Sequence, residues 1–234
     1  MNILLTRPLI DCEDLMSELF SKGHKIIHLP TLKILSANME AIDTNDYDIF
    51  IFTSTNAVRN LAIKNNKILS SCFCVGSITE KFARAKGFTN SFSAGGTVNA
   101  LKNLILNSSK VQKDSKIAYI CGDNISYDLD KELLSEGYKI KKIINYYSEK
   151  IEDLNNENNK LIKDYPPRLI FVYSKRSAES LNEIVKKYNL ASLMTQSIVK
   201  CISINISYEF KKAGWKKVEI FNSGEEIFEI EKYQ

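Results

Sequence analysis

The segments ILLTRP (Ile3–Pro8) and IAYICGD (Ile117–Asp123) decide the fold, because the chain repeats itself around them. Each is followed by a helix-like stretch and then by a closely similar one: LFSKGHKIIHLP from Leu19 and LLSEGYKIKKII from Leu133. Gly23 and Gly137 fall at the same offset from Ile3 and Ile117. Two further pairs follow. DIFIFTSTNAVRNL from Asp48 answers to RLIFVYSKRSAESL from Arg168, and CVGSITEKFARAKGF from Cys74 answers to CISINISYEFKKAGW from Cys201. Every unit reads as an apolar run, a polar turn and a helical stripe, often closed by a glycine. Repetition on this scale is architecture. It predicts two similar α/β lobes, each an open parallel sheet flanked by helices, with ligand bound in the cleft between them.

Short apolar runs bounded by turn signals predict buried parallel strands at Asn2–Leu5, Lys25–Leu29, Asp48–Phe52, Phe73–Val75, Ser91–Phe92, Ile117–Ile120, Lys139–Tyr147, Leu169–Tyr173, Ser197–Ser203 and Val218–Phe221. Helices are expected over Asp11–Ser21, Asn56–Lys64, Ser77–Lys86, Val98–Asn107, Leu129–Ser135, Ala178–Tyr188 and Tyr208–Ala213. Ser77-Ile78-Thr79-Glu80 has the form of a capping box. The charged, Asn-rich Glu149–Asp164 reads as a linker followed by a short helix. One continuous sheet remains an alternative, but two smaller sheets fit the duplication better.

The 234 residues are 44% hydrophobic, enough for a core in each half, and the net charge is +4 with a pI near 8.6. No basic run tracks a phosphate backbone, so nucleic acid is not the expected partner; a mildly positive field suits a small polyanion. Five scattered cysteines in apolar surroundings fit buried thiols in a reducing cytoplasm rather than disulfides or metal ligands. MNILLTRP is too short an apolar run for a signal peptide, and no stretch is long enough to span a membrane.

Four turns follow strands: Thr6-Arg7-Pro8, Thr53-Ser54-Thr55-Asn56, Gly76-Ser77-Ile78-Thr79 and Ser174-Lys175-Arg176-Ser177. Each is either a helix cap or a set of donors for an anion, and the strand–turn–helix order puts all four on the ligand side. His24 and His28 have no Cys or carboxylate at ligand spacing and read as strand-edge residues. Gly95-Gly96 lacks the Lys-Ser/Thr of a phosphate loop, and no G-x-G-x-x-G follows a strand. The acidic pairs, Glu225 with Glu226 included, read as solvated faces. Tyr146 and Tyr147 end a strand beside the charged segment. A tyrosine ordinarily titrates near about 10 and is a neutral proton donor at pH 7. Alternation allows one of the pair to face inward and the other outward.

Taken in order, ILLTRP, Leu29-Pro30, IFTSTNAV (Ile51–Val58), VGSITEKFARAKGF (Val75–Phe88), Gly137–Tyr147 and FVYSKRSAESL (Phe171–Leu181) resemble the uroporphyrinogen-III synthase family. The resemblance implies a first lobe from both chain ends (1–34 plus 149–234), a second from 38–145, and a two-stranded linker (35–37 and 146–148). It implies a cytoplasmic, monomeric enzyme without metal or organic cofactor. Its substrate would be the linear tetrapyrrole hydroxymethylbilane, closed to the type III ring with inversion of the last pyrrole and loss of water. Transient contact with the preceding enzyme of the pathway goes with it. By motif, Tyr146 takes the place of the family's tyrosine, Tyr147 being the alternative register. Thr6, Arg7, Ser54, Thr79 and Ser174 take substrate-binding positions. The chain departs from the family at Ser203–Ser207, where Gly-x-x-Thr is usual; Asn205 or Ser207 would supply those hydrogen bonds. The rival readings are a non-catalytic binder of a small anion, a diverged inactive family member, and a two-lobed sugar-nucleotide transferase.

Overall fold

The computed structural model describes residues 1–64 and 67–233. In chain order the elements are β1 (Asn2–Leu5), α1 (Glu13–Ser21), β2 (Lys25–His28), β3 (Leu32–Ser36), β4 (Ile49–Phe52), α2 (Thr55–Arg59), β5 (Ser71–Cys74), α3 (Ser77–Ala85), β6 (Ser91–Ser93), α4 (Val98–Leu106) and β7 (Lys116–Gly122). There follow α5 (Leu129–Ser135), β8 (Lys139–Lys150), α6 (Asn156–Asp164), β9 (Leu169–Val172), α7 (Lys175–Lys187), α8 (Ala191–Met194), β10 (Ile198–Cys201), α9 (Ile204–Lys212), β11 (Lys217–Ile220) and α10 (Glu226–Glu231). The chain forms two compact units, one of Met1–Lys33 with Glu149–Gln234 and one of Ile34–Ser148.

The first unit holds a five-stranded sheet in the order β11-β10-β9-β1-β2, and the second a six-stranded sheet in the order β6-β5-β4-β7-β8-β3. Pairing β1 with β7, β2 with β8, β9 with β4, β10 with β5 and β11 with β6 makes the orders identical. The sequence repeat predicts the first four of these pairs, and the structure adds β11 with β6. Even the register agrees, since Ile3 lies opposite Leu169 as Ile117 lies opposite Ile49. Counted in chain order within each unit, the parallel strands run 2-1-3-4-5 in the first and 3-2-1-4-5 in the second, both doubly wound, with a topological switch point between β1 and β9 and between β4 and β7. β3 is the addition. Ala37 donates to the Asn145 carbonyl and Ile151 to that of Thr31, so β3 runs antiparallel to β8.

Strand alternation sorts side chains between two helical layers in each unit. In the first, Leu4, Ile170, Val172 and Val199 pack with α6, α7 and α9, while Ile3, Leu5, Phe171 and Ile198 face α1 and α10. In the second, Phe50, Phe52 and Ile120 meet α2 and α3, while Ile49, Ile51 and Tyr119 meet α4 and α5. Each such side chain is worth about 1.5–3 kcal/mol when buried. Helix ends repeat as well. Gly23 and Gly137, at φ 76° and 84°, follow α1 and α5 in the left-handed region. There His24 N–H bonds the Leu19 carbonyl and Tyr138 N–H that of Leu133, the 6→1 closure for which glycine is suited.

Several local expectations are corrected. The helix expected to reach Lys64 stops at Arg59, because Ile63 leaves to form a parallel bridge with Ile42. No capping box forms at Ser77: Gly76 is the N-cap, and the Glu80 carboxylate instead takes hydrogen bonds from Arg84 and Ser91. Helices expected from Ala178 and Tyr208 begin at Lys175 and Ile204, each capped by a serine side chain, Ser174 and Ser203. Glu226 is not on a solvated face. It lies buried in α10, a helix that the tail's short apolar spacing left unread.

Candidate functional site

In open α/β sheets the ligand crevice lies outside the strands' carboxyl ends at the switch point. In the second unit β4 is followed there by Thr53 and Ser54, and β7 ends in Gly122. A cavity of about 120 Å³ opens between them, lined by Thr53, Ser54, Tyr119, Gly122, Tyr127 and Tyr146 among others. That is room for a few waters or one polar arm of a ligand. A wider depression of about 540 Å³ lies at the opposite end of the same sheet, lined by Asp46, Lys116 and Lys139. It is open, and its lining has Tyr47 and Tyr138 but no serine or threonine.

Tyr146 reaches the cavity through a register irregularity. β7 and β8 pair regularly until Cys121 opposes Ile144; Gly122 then opposes Tyr146. Asn145 is the extra residue, buried, with its side-chain amide donating to the Ala57 carbonyl at 2.7 Å. A bulge re-aims the side chains beyond it. Tyr146 therefore packs on the same apolar cluster as Ile143, whereas Tyr147 is 47% exposed. The ring lies so close on Gly122 that an added Cβ would stand 2.5 Å from Tyr146 Cζ. Asp123 fixes the segment from both sides: its N–H donates to the Tyr146 carbonyl, and its carboxylate accepts from Ser148 N–H, each at 3.1 Å. Beneath, Tyr119 is 1% exposed, its hydroxyl 3.1 Å from Thr53 Oγ1. Burial pushes the Tyr119 phenol well above its ordinary pKa, against the opposing bond to Thr53, so it stays a neutral hydroxyl. Ser54 caps α2 by accepting from Asn56 N–H at 3.1 Å. Thr79 lies buried in the first turn of α3 and is not in the cavity lining.

At the switch point of the first unit, Thr6 and Arg7 follow β1 while Tyr173 and Ser174 follow β9. Thr6 is buried, and its hydroxyl donates to the Phe171 carbonyl at 2.8 Å, fastening β1 to β9. The Arg7 guanidinium stacks 3.5 Å above the Tyr173 ring, and its carbonyl lies 2.9 Å from His28 Nε2. Ser174 caps α7, accepting from Ser177 N–H at 3.0 Å. Asn205 is exposed in the first turn of α9, while the Ser207 hydroxyl is turned back onto the Ile204 carbonyl. Ser54 and Tyr146 thus share one cavity, and Thr6, Arg7 and Ser174 share one switch point. Thr53, Tyr119, Gly122 and Tyr173 complete these places. Thr53 and Gly122 carried a sequence signal, as a polar residue and a glycine directly after an apolar run. Tyr119 and Tyr173 read only as parts of strands.

Among the described residues no group of three or more His, Cys, Asp or Glu could hold a metal ion, and no helix is long and apolar enough to cross a membrane. All five cysteines are buried free thiols.

The sequence profile of the family described as "Uroporphyrinogen-III synthase HemD" matches residues 13–220. No curated protein sequence matches the chain. Among solved structures, uroporphyrinogen-III synthetase from Helicobacter pylori superposes with a TM-score of 0.64 at 16% identity, covering 99% of this chain and 98% of that one. A mutant uroporphyrinogen III synthase from the extremely thermophilic bacterium Thermus thermophilus gives 0.56 at 12% identity over the same shares. At such identities the superpositions establish the fold: parallel sheets flanked by helices. The profile match runs through nearly the whole chain, and on it the chain belongs to the uroporphyrinogen-III synthase family.

Proposed function

We propose that this protein closes hydroxymethylbilane to uroporphyrinogen III, inverting the terminal pyrrole and releasing water. The observation that carries the reading is the placement of Tyr146, the residue matching the family's tyrosine, in a polar cavity at a switch point together with Ser54. Family membership supports it. The reaction asks little of a protein in covalent terms. The hydroxymethyl C–O bond breaks, and the substrate's own terminal pyrrole supplies the electron pair that forms the new C–C bond. The proton lost from that pyrrole balances the one taken by the departing hydroxide. Tyr146 gives the hydroxide its proton and recovers one as the ring closes. Attack must be steered to the substituted carbon of the last ring. The bond from that carbon to the neighbouring methylene then breaks and re-forms at the ring's free α-carbon, which is the carbon that loses the balancing proton. Directing this sequence is a matter of holding one conformer. Arg7, with Thr6, Ser54, Ser174 and Asn205, binds the substrate's carboxylate arms, and Thr79, whose side chain is buried, contributes through its backbone amide in the first turn of α3. Thr6 serves through its backbone and by fixing the turn, since its hydroxyl is engaged.

The test is incubation with hydroxymethylbilane and chromatographic separation of type I from type III product. Excess type III over the uncatalysed type I background, unchanged by a chelator, supports the reading. Type I alone points to a non-catalytic binder or an inactive member. Activity abolished by chelator and restored by zinc would overturn the cofactor-free mechanism.

A further inference from the structure

We propose that Tyr173, Ser223 and Glu226 are positioning residues for Arg7, which makes the segment Phe221–Glu226 a working part of the first unit's binding site. The inference rests on the reading above in taking Arg7 as the cation that receives a carboxylate arm of the substrate.

The contacts run in a chain from the C-terminus to the guanidinium. Glu226, in the first turn of α10, is only 6% exposed. One of its carboxylate oxygens accepts from the Tyr173 hydroxyl at 3.0 Å, and the other from Gly224 N–H at 2.9 Å. Phe221 meets Tyr173 edge-on, with centroids 5.8 Å apart. The ring is thus held at its hydroxyl and along its edge, leaving a face for the Arg7 guanidinium, 3.5 Å from the centroid. Arg7 Nη2 also donates to Ser223 Oγ at 3.1 Å. A ring face and a neutral hydroxyl orient a guanidinium without cancelling its charge. An arginine fixed before binding loses less rotamer freedom when a carboxylate arrives.

A purely structural role for the tail does not account for this arrangement. Ile227 and Ile230 pack α10 onto the sheet, and Glu229 anchors it to Lys200 in β10 at 2.6 Å. None of those contacts calls for a carboxylate buried under a tyrosine hydroxyl or a serine under a guanidinium.

The experiment uses the full chain and the variants Ser223→Ala, Glu226→Gln and Tyr173→Leu. Ser223 is exposed, so its variant keeps the test alive if a buried one fails to fold. Two readouts are followed: the Arg7 Nε–Hε resonance, shifted upfield by the Tyr173 ring, and the kinetics with hydroxymethylbilane. Weakened holding of Arg7 removes binding felt equally by substrate and transition state, so KM should rise while kcat stays within about twofold. For Tyr173→Leu the rise should be about tenfold, the scale of a lost cation–π contact and its ordering effect. Ser223→Ala should raise KM in the wild-type background and do nothing further beside Arg7→Gln. An Arg7 resonance unshifted in the wild-type chain would overturn the inference. So would a Ser223→Ala effect that is the same size with and without Arg7. A wild-type chain that makes no type III product would sink the proposed reaction, while the resonance would still decide whether the tail holds Arg7.

Discussion

Gly122→Ala tests whether catalysis depends on the seat of Tyr146. A Cβ at position 122 would stand 2.5 Å from Tyr146 Cζ, 2.6 Å from Cε2 and 2.9 Å from the hydroxyl oxygen. Apolar contacts settle near 3.5–4.0 Å, so the ring must retreat by about 1 Å or more. It has little room to do so, because the ring packs on the buried cluster around Phe52 and Ile143, and its backbone is pinned by Asp123. Overpacking of this kind costs about 1–3 kcal/mol, a fall of a few degrees in Tm for a chain of this length. The catalytic cost should be larger than the stability cost suggests. A reacting group displaced by about 1 Å loses on the order of 10²-fold in rate. The assay is type III formation from hydroxymethylbilane for the wild type, Gly122→Ala, Tyr146→Phe and the double variant, with Tm measured on each. Once the hydroxyl is gone, displacing the ring should matter little, so the double variant should be no slower than Tyr146→Phe by more than about threefold. Full rate in Gly122→Ala with an unchanged Tm would refute the packing argument. Full loss in both single variants, multiplied in the double, would show that Gly122 acts independently of Tyr146.

Tyr146→Phe should keep the fold and slow type III formation near the low end of the 10²–10⁴-fold associated with a general acid, since water can also protonate the leaving hydroxide. Tyr147→Phe, on an exposed side chain, should cost far less, and the reverse ranking would mean that the acid lies one residue on. Lys200, 1% exposed in β10, bonds Glu219 at 2.5 Å and Glu229 at 2.6 Å. Lys200→Met should destabilise by about 3 kcal/mol in urea unfolding, the low end for breaking a buried pair, because Lys232 still reaches Glu229. Burial alone would raise the Glu229 carboxyl, but hydrogen bonds from Lys200 and Lys232 outweigh it and hold the pKa below the ordinary value. Its stabilisation is therefore complete above the unfolded value of about 4.3 and disappears as pH falls through the lower folded value; the stability difference between wild type and Glu229→Gln should shrink only on that acid side. Burial pushes the thiols of Cys12 and Cys121 up to about 11 and that of Cys201 to about 12, so native protein should resist iodoacetamide and unfolded protein should not.

The sequence alone determined the repeating architecture. Apolar strands such as Ile3–Leu5 and Ile49–Phe52, and glycines such as Gly23 and Gly137, are local signals. A short apolar run, a capping serine and a left-handed turn act within a few residues of themselves, so they can be read along the chain and paired between its halves. Serine caps at Ser54 and Ser174 were visible for the same reason. What the tertiary structure decided involves residues far apart or a change of register. Tyr146 turns inward because one extra residue, Asn145, enters β8 between the partners of Cys121 and Gly122, and period-two alternation is blind to a bulge until the partner strand is known. Glu226 reads as a solvated tail residue until Tyr173, 53 positions earlier, bonds it. Lys200, a cation in a buried strand, makes sense only when α10 brings Glu229 over the sheet. A buried charge or an inward hydroxyl is stable only through its partner, and the partner's position is set by the fold, not by its neighbours in sequence.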